Sequence, residues 1–167
     1  NGYPITAVIG RQSVMEYAQQ SFISSTFWTD RIGPTAALAT LNTMFALESW
    51  NYISQLGQYL KRLWKDISIL ENVEIKISGL DAMPSFIFVH PDHLKYKTFL
   101  TQQFLNYGYL ATNSVYVSTC HNRDILEKYA DYFKLIMHDI YLCQQEKLSI
   151  DDLLHTSLCH TTFQRLN

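Results

Sequence analysis

Three groups of residues in this sequence have side chains able to do chemistry. Ser24, Ser25, Thr26 and Thr29 place four hydroxyls just ahead of Gly33-Pro34. Hydroxyls combined with backbone N–H groups at a helix start make good donors for a phosphate. On spacing alone the plainer reading is a capping loop, because most such loops bind nothing. His155, Cys159 and His160, with Cys143 as a fourth, suggest a metal site. The two short-spaced ligand pairs of a structural zinc site are missing, so these read as ordinary surface and helix residues and no metal is expected. Cys120 and His121 form an adjacent thiol and imidazole. Neighbours on an extended chain point to opposite sides, which argues against a nucleophile and its base. His90 and His93 flank Pro91-Asp92 and read as turn residues.

The elements that must position these groups follow from periodicity. Residues 5–9 are a continuous apolar run of the kind buried in a parallel or mixed sheet, ended by Gly10. Residues 11–20 read as a short helix with Val14, Met15, Tyr17 and Ala18 toward its buried side. From Pro34, which suits a first helical turn, a helical pattern continues to about residue 70. Within it Ile53, Leu56, Leu60, Leu63, Ile67 and Leu70 recur at steps of three and four, forming one apolar stripe. Gly57 interrupts that stripe at a cost of about 1 kcal/mol against Ala, so the helix bends there or another backbone comes close.

Beyond residue 70, strands are expected at 73–80, 86–89 and 115–119. A helix is expected over 93–107, with Asp92 as a cap and Gly108 beyond its end. A last long helix follows Asn122, with Ile125, Tyr129, Tyr132, Phe133, Ile136, Ile140 and Cys143 on its apolar face. Such an order describes a small two-layer α+β domain. The tail, residues 149–167, shows little period and is expected to be partly disordered.

Composition narrows the function classes. Apolar residues make up 47% of the 167 and charged residues 17%, against about 25% charged in a typical soluble domain. Eleven Tyr and nine Phe add to the excess, which suggests surface that something else covers. With a net charge of −2 and no Lys/Arg run, no nucleic-acid partner is expected. No apolar stretch approaches the roughly 20 residues of a membrane helix, so no membrane partner is expected and a cytoplasmic location is the default. Three cysteines without paired spacing read as reduced thiols. Residues 1–4, Asn-Gly-Tyr-Pro, lead straight into the apolar run, as if the chain began in mid-domain.

Read in order, these segments resemble one family. Asn1-Gly2-Tyr3-Pro4 and the apolar run after it look like the segment that follows the cofactor lysine in class-III aminotransferases. Residues 11–17 match that family's short helix with its Val-Met pair, and residues 22–37 match its Ser-Ser-Thr, Trp-Thr, Ile-Gly-Pro, Ala-Ala stretch. The similarity is to the glutamate-1-semialdehyde aminomutase-like branch of these pyridoxal 5'-phosphate (PLP) enzymes. It is highly specific over residues 1–40 and looser through Ile77-Ser78-Gly79-Leu80, Phe86-Ile87-Phe88, residues 99–108 and residues 118–125.

The resemblance implies an α/β fold, the PLP-dependent transferase fold type I of the aspartate-aminotransferase kind. Residues 1–45 would be the end of its large PLP-binding domain with the start of the linking helix, residues 46–148 the small C-terminal α+β domain, and residues 149–167 a tail. It implies an aminotransferase or aminomutase that moves an amino group through a lysine-bound PLP aldimine. The Schiff-base lysine is expected about four residues before Asn1, so the chain alone would be inactive. Lys61, Lys65, Lys95 and Lys97 do not match that lysine and read as solvated. By the same resemblance Thr29 contacts the phosphate of PLP held by the neighbouring subunit, and Trp28 borders it. A homodimer with the active site at its interface, and a small amino/keto or aldehyde substrate, are implied as well. Substrate identity, and mutase against transaminase, stay open. The alternative is a non-catalytic truncated or split module for interaction or dimerisation.

Overall fold

The computed structural model describes residues 2–23, 26 and 29–160. They fall into two compact units, Asn1–Ser49 and Trp50–Asn167. In the first, an extended stretch leads into helix α1 (Gln12–Met15), which a 3-10 helix continues over Glu16–Gln20, and α2 spans Ile32–Leu47. Neither α1 nor α2 buries a residue. Val14 and Tyr17, expected to be buried, are exposed. The strand expected at residues 5–9 is not formed either. Its backbone is extended but joins no sheet among the described residues, and Val8 and Ile9 are exposed. A parallel-type strand exists only through the N–H and C=O groups of its neighbours, and no described segment offers them.

The helical pattern over 34–70 resolves into two helices. Glu48 adopts φ 44° and ψ 43° and ends α2 in the left-handed conformation that commonly stops helices, and α3 (Ser49–Leu70) begins at the next residue. On α3, Leu56, Leu60 and Ile67 of the expected stripe are buried, Ile53 and Leu63 pack against them, and Leu70 is exposed in the last turn. Trp64, one turn after Leu60, is fully buried.

Strands β1 (Ile75–Leu80) and β2 (Met83–Phe88) form an antiparallel hairpin with Ile75 opposite Phe88 and Leu80 opposite Met83. Phe86 and Phe88 alternate inward on β2 with the exposed Ile87 between them, as a half-buried strand requires. The segment expected as a third strand is laid along β2 without forming a regular ladder. The Phe86 N–H donates to Asn113 O (3.0 Å), the Val115 N–H to Pro84 O (3.1 Å) and the Val117 N–H to Ala82 O (3.0 Å). A turn in which the His121 N–H donates to Ser118 O (3.1 Å) then cuts it short.

Helices α4 (His93–Asn106) and α5 (Arg123–Gln144) complete the second layer. Gly108, at φ 82°, ends the turn after α4 where a Cβ would be strained. Asn122 caps α5, its Oδ1 accepting from the Ile125 N–H at 2.9 Å. Asp92 makes no such bond at the start of α4 and lies instead 3.6 Å from Lys95 Nζ. The buried face of α5 carries Leu126, Tyr129, Ala130, Phe133, Ile136, Met137 and Ile140, while Ile125 faces outward. Trp64, Phe86 and Phe133 meet edge to face with centroids 4.8 and 5.5 Å apart, joining α3, β2 and α5. Within this apolar setting Trp64 Nε1–H donates to Tyr129 Oη at 3.0 Å. Burial drives the Tyr129 phenol far above its ordinary pKa.

The described part of the tail, residues 149–160, has a definite path. Ser149 caps the short helix α6 (Ile150–Leu153), and Ile150 is buried. The chain then runs back along α4: Gln102 donates to Leu153 O (2.9 Å), the His155 N–H to Gln102 Oε1 (2.7 Å), and the Cys159 N–H to Thr98 Oγ1 (3.0 Å).

Gly57 is explained by a close approach. A Cβ there would overlap the carbonyl oxygen of Asp81 and lie 2.6 Å from its carbonyl carbon. The hairpin tip is also clamped to α3, because Gln58 Nε2 and Lys61 Nζ donate to the Asp81 carboxylate at 2.8 Å each and Lys61 donates to Gly79 O at 2.8 Å. Two outcomes follow. Gly57→Ala should lower stability by about 1–3 kcal/mol in urea unfolding, as overpacking against backbone does, and an unchanged midpoint would exclude the close approach. The hydrogen bond from Lys61, followed by that from Gln58, holds the Asp81 carboxyl below its ordinary pKa. The stability it contributes is therefore present above the unfolded-state value and lost as pH falls through the lower folded one. Asp81→Asn should flatten the acid limb of the unfolding midpoint against pH; an acid limb identical to the parent's would contradict the linkage.

Candidate functional site

In the hydroxyl loop, Ser24, Ser25 and Trp28 lie outside the described residues. Thr26 and Thr29 are described, exposed and in turns, and Thr29 precedes the first residue of α2 by three positions. Asp30 Oδ1 accepts from the Ile32 N–H at 2.9 Å, so this carboxylate serves the helix start. The first backbone bond of α2 runs from the Thr35 N–H to Arg31 O at 3.0 Å. Pro34 sits within the first turn, where its missing N–H costs no helical bond. The extended stretch passes close by: a Cβ at Gly33 would lie 3.4 Å from Ile5 and 3.6 Å from Pro4 O. Asp30, Gly33 and Pro34 share with Tyr3, Ile5 and Thr6 an open cavity of about 1070 Å³. Chemically the loop presents an exposed hydroxyl beside the start of a 16-residue helix, a donor set suited to an oxyanion.

The remaining candidates are placed as follows. His90 Nδ1 accepts from the Asp92 N–H at 3.1 Å, which is a turn role. Cys120 and His121 lie in a turn and not at a strand end. His121 Nδ1 accepts from the Ser118 N–H (3.1 Å), and the Cys120 N–H donates to Ser118 Oγ (3.3 Å). No group of three or more His, Cys, Asp or Glu able to hold a metal ion occurs among the described residues. Cys143 is partly buried, and desolvation raises its thiol pKa, the opposite of what a reactive thiolate needs.

Of the lysines, Lys65 is exposed, as expected. Lys61 and Lys95 are not simply solvated. Lys61 pairs with Asp81 at 2.8 Å, and Lys95 pairs with Asp151 at 2.7 Å, a contact that raises the Lys95 pKa. Sequence reading also missed a cavity of about 260 Å³ where His121 joins Tyr109, Tyr129 and Leu60. Those residues stand up to 69 positions apart by number, and only tertiary packing collects them.

No family model matches the chain. Curated relatives do. The chain is 25% identical over 157 residues to the glutamate-1-semialdehyde 2,1-aminomutase of Methanosphaera stadtmanae, covering 84% of this chain and 37% of that protein. It is 29% identical over 153 residues to the enzyme of the same name from Methanothrix thermoacetophila, covering 81% and 35%. It is 25% identical over 125 residues to the aminopentol aminotransferase of Sphingopyxis macrogoltabida, covering 73% and 28%. The chain thus spans between 28% and 37% of the length of these relatives.

Among solved structures, the PLP internal aldimine form of the FumI protein of Sphingopyxis sp. MTA144 matches with a TM-score of 0.69 over 87% of this chain and 36% of that one, at 17% identity. The fold class is that of the PLP-dependent transferases of fold type I, as the resemblance implied. The resemblance itself, to glutamate-1-semialdehyde aminomutase-like aminotransferases, is likewise borne out over most of the chain.

Because Thr29 is exposed, its hydroxyl has little part in holding the fold. Thr29→Ala should leave unfolding within about 0.5 kcal/mol of the parent. A larger loss in denaturant titration would give this residue a structural role and weaken its use as a functional probe.

Proposed function

We propose that this chain is the C-terminal part of a PLP-dependent aminotransferase or aminomutase. In that parent, residues 1–45 close the large cofactor domain, residues 46–148 form the small domain, and the Schiff-base lysine is supplied by polypeptide before Asn1. The observation that carries the reading is the alignment of 84% of the chain with little more than a third of a glutamate-1-semialdehyde aminomutase. Bound PLP supplies the electron sink that lets an amino group be exchanged. This chain's own residues hold and orient. Thr29 would donate its hydroxyl to the phosphate of the cofactor in the neighbouring subunit and Trp28 would border the same group, while Asp30 fixes the start of α2 through the Ile32 N–H. The residues present fit a phosphate, since an exposed hydroxyl stands three positions ahead of a long helix.

The character of α2 supports a larger parent. Ile32, Leu38, Leu41, Phe45 and Leu47 are all exposed in the unit described, and a helix apolar on every side ordinarily lies within a core. A homodimer with the active site at the subunit interface, a small amino, keto or aldehyde substrate, and a cytoplasmic location complete the proposal. The rival, a non-catalytic pairing module, shares the apolar surface and differs in having no cofactor.

In the parent protein, Thr29→Ala should weaken PLP retention by roughly tenfold, the scale of one hydrogen bond to a charged group. Loss of the cofactor's near-visible absorbance on dialysis reads the effect. Retention equal to that of the unsubstituted protein would remove Thr29 from the phosphate site.

A further inference from the structure

The first turn of α4 and the stretch ending at His160 border an open cavity of about 210 Å³, lined by Ile87, Leu94, Asn113, His93, Lys97 and His160, with Phe86 and Phe88 turned inward behind it. Among the described residues its lining contains no carboxylate. The contrast with the neighbouring lysines is informative. Lys61 and Lys95 each meet an aspartate within 2.8 Å, whereas Lys97, half-buried at this cavity, has no ion pair or side-chain hydrogen bond among the described residues. The side chains of His93 and His160 are also without a polar partner there. Lys97, with His93 and His160 beside it, therefore faces a space whose apolar side is Ile87 and Leu94 and which, among the described residues, offers it no carboxylate. An ammonium partly withdrawn from water gains most from a carboxylate that also brings apolar surface against Ile87 and Leu94.

We propose that this cavity binds a small organic carboxylate, with its apolar body on Ile87 and Leu94 and its charge on Lys97, flanked by His93 and His160. The site belongs wholly to the second unit and involves neither Thr29 nor PLP, so it stands or falls independently of the proposed cofactor role. Its size restricts the ligand to a fragment of one ring or a short chain, below the roughly 300 Å³ at which drug-sized pockets begin.

The test is a titration of the full 167-residue chain with benzoate, followed by backbone amide NMR, alongside benzyl alcohol, which has the same ring and no charge. The expected result is saturable binding of benzoate with a Kd of about 1 mM or tighter, with shifts at Leu94, Lys97 and Asn113. Benzyl alcohol should bind about tenfold more weakly. Lys97→Met, which keeps the aliphatic stem, should weaken benzoate about tenfold and leave benzyl alcohol unchanged. If that variant loses cooperative unfolding, Lys97→Gln reads the same contact. Equal binding of the two probes, an unchanged benzoate affinity in the Lys97 variant, or no saturation by benzoate would each overturn the proposal.

Discussion

The second unit depends on one arrangement: the indole of Trp64, buried without access to water, with its N–H satisfied by the hydroxyl of Tyr129. Each group would be costly to bury alone, because an unmet donor or hydroxyl in an apolar interior loses about 1–3 kcal/mol. Together they fix the rotation of α3 against α5. Phe86 and Phe133 close on the same indole and ring set edge to face, which sets the height of the hairpin over both helices. From that point the clamp at the hairpin tip follows, since Gly57 can admit the Asp81 backbone only when α3 presents this face to it.

Much of this was legible because it is periodic or because it breaks a rule. The stripe on α3 announces a helix by its spacing, and Gly57 announces a close contact by interrupting that spacing at an energetic cost. Gly108 and Asn122 mark helix ends through local backbone chemistry, and both perform those roles. The divided helix was not legible, because Glu48 carries no signal for a left-handed turn of the kind a glycine would give. The pairing of Lys61 with Asp81 and of Lys95 with Asp151 joins residues 20 and 56 positions apart, and no local pattern records such partners. The tail was read as irregular for a similar reason: its bonds go to side chains of α4 and leave no period of their own.

The family resemblance was legible in a different way. The order of hydroxyls, Gly-Pro and alanines over residues 22–37 carried a family resemblance that composition and spacing alone did not, and the curated relatives and the shared fold agree with it. What the loop grips is a separate matter from what the chain resembles. Thr29 is exposed three positions before the first residue of α2. The apolar run at residues 5–9 and the apolar circumference of α2 both leave apolar surface exposed among the described residues, which is the feature of the fold that the proposed function draws on.

The central claim is that the native polypeptide holds a PLP-bound lysine ahead of Asn1. Its most direct measurement is mass spectrometry of that polypeptide isolated from its source, after borohydride reduction to fix any lysine-bound coenzyme. The account predicts a chain well above the 19.4 kDa of this segment, with a pyridoxyl-modified lysine shortly before Asn-Gly-Tyr-Pro. A native product of 19.4 kDa that acquires no coenzyme with any companion chain would contradict it.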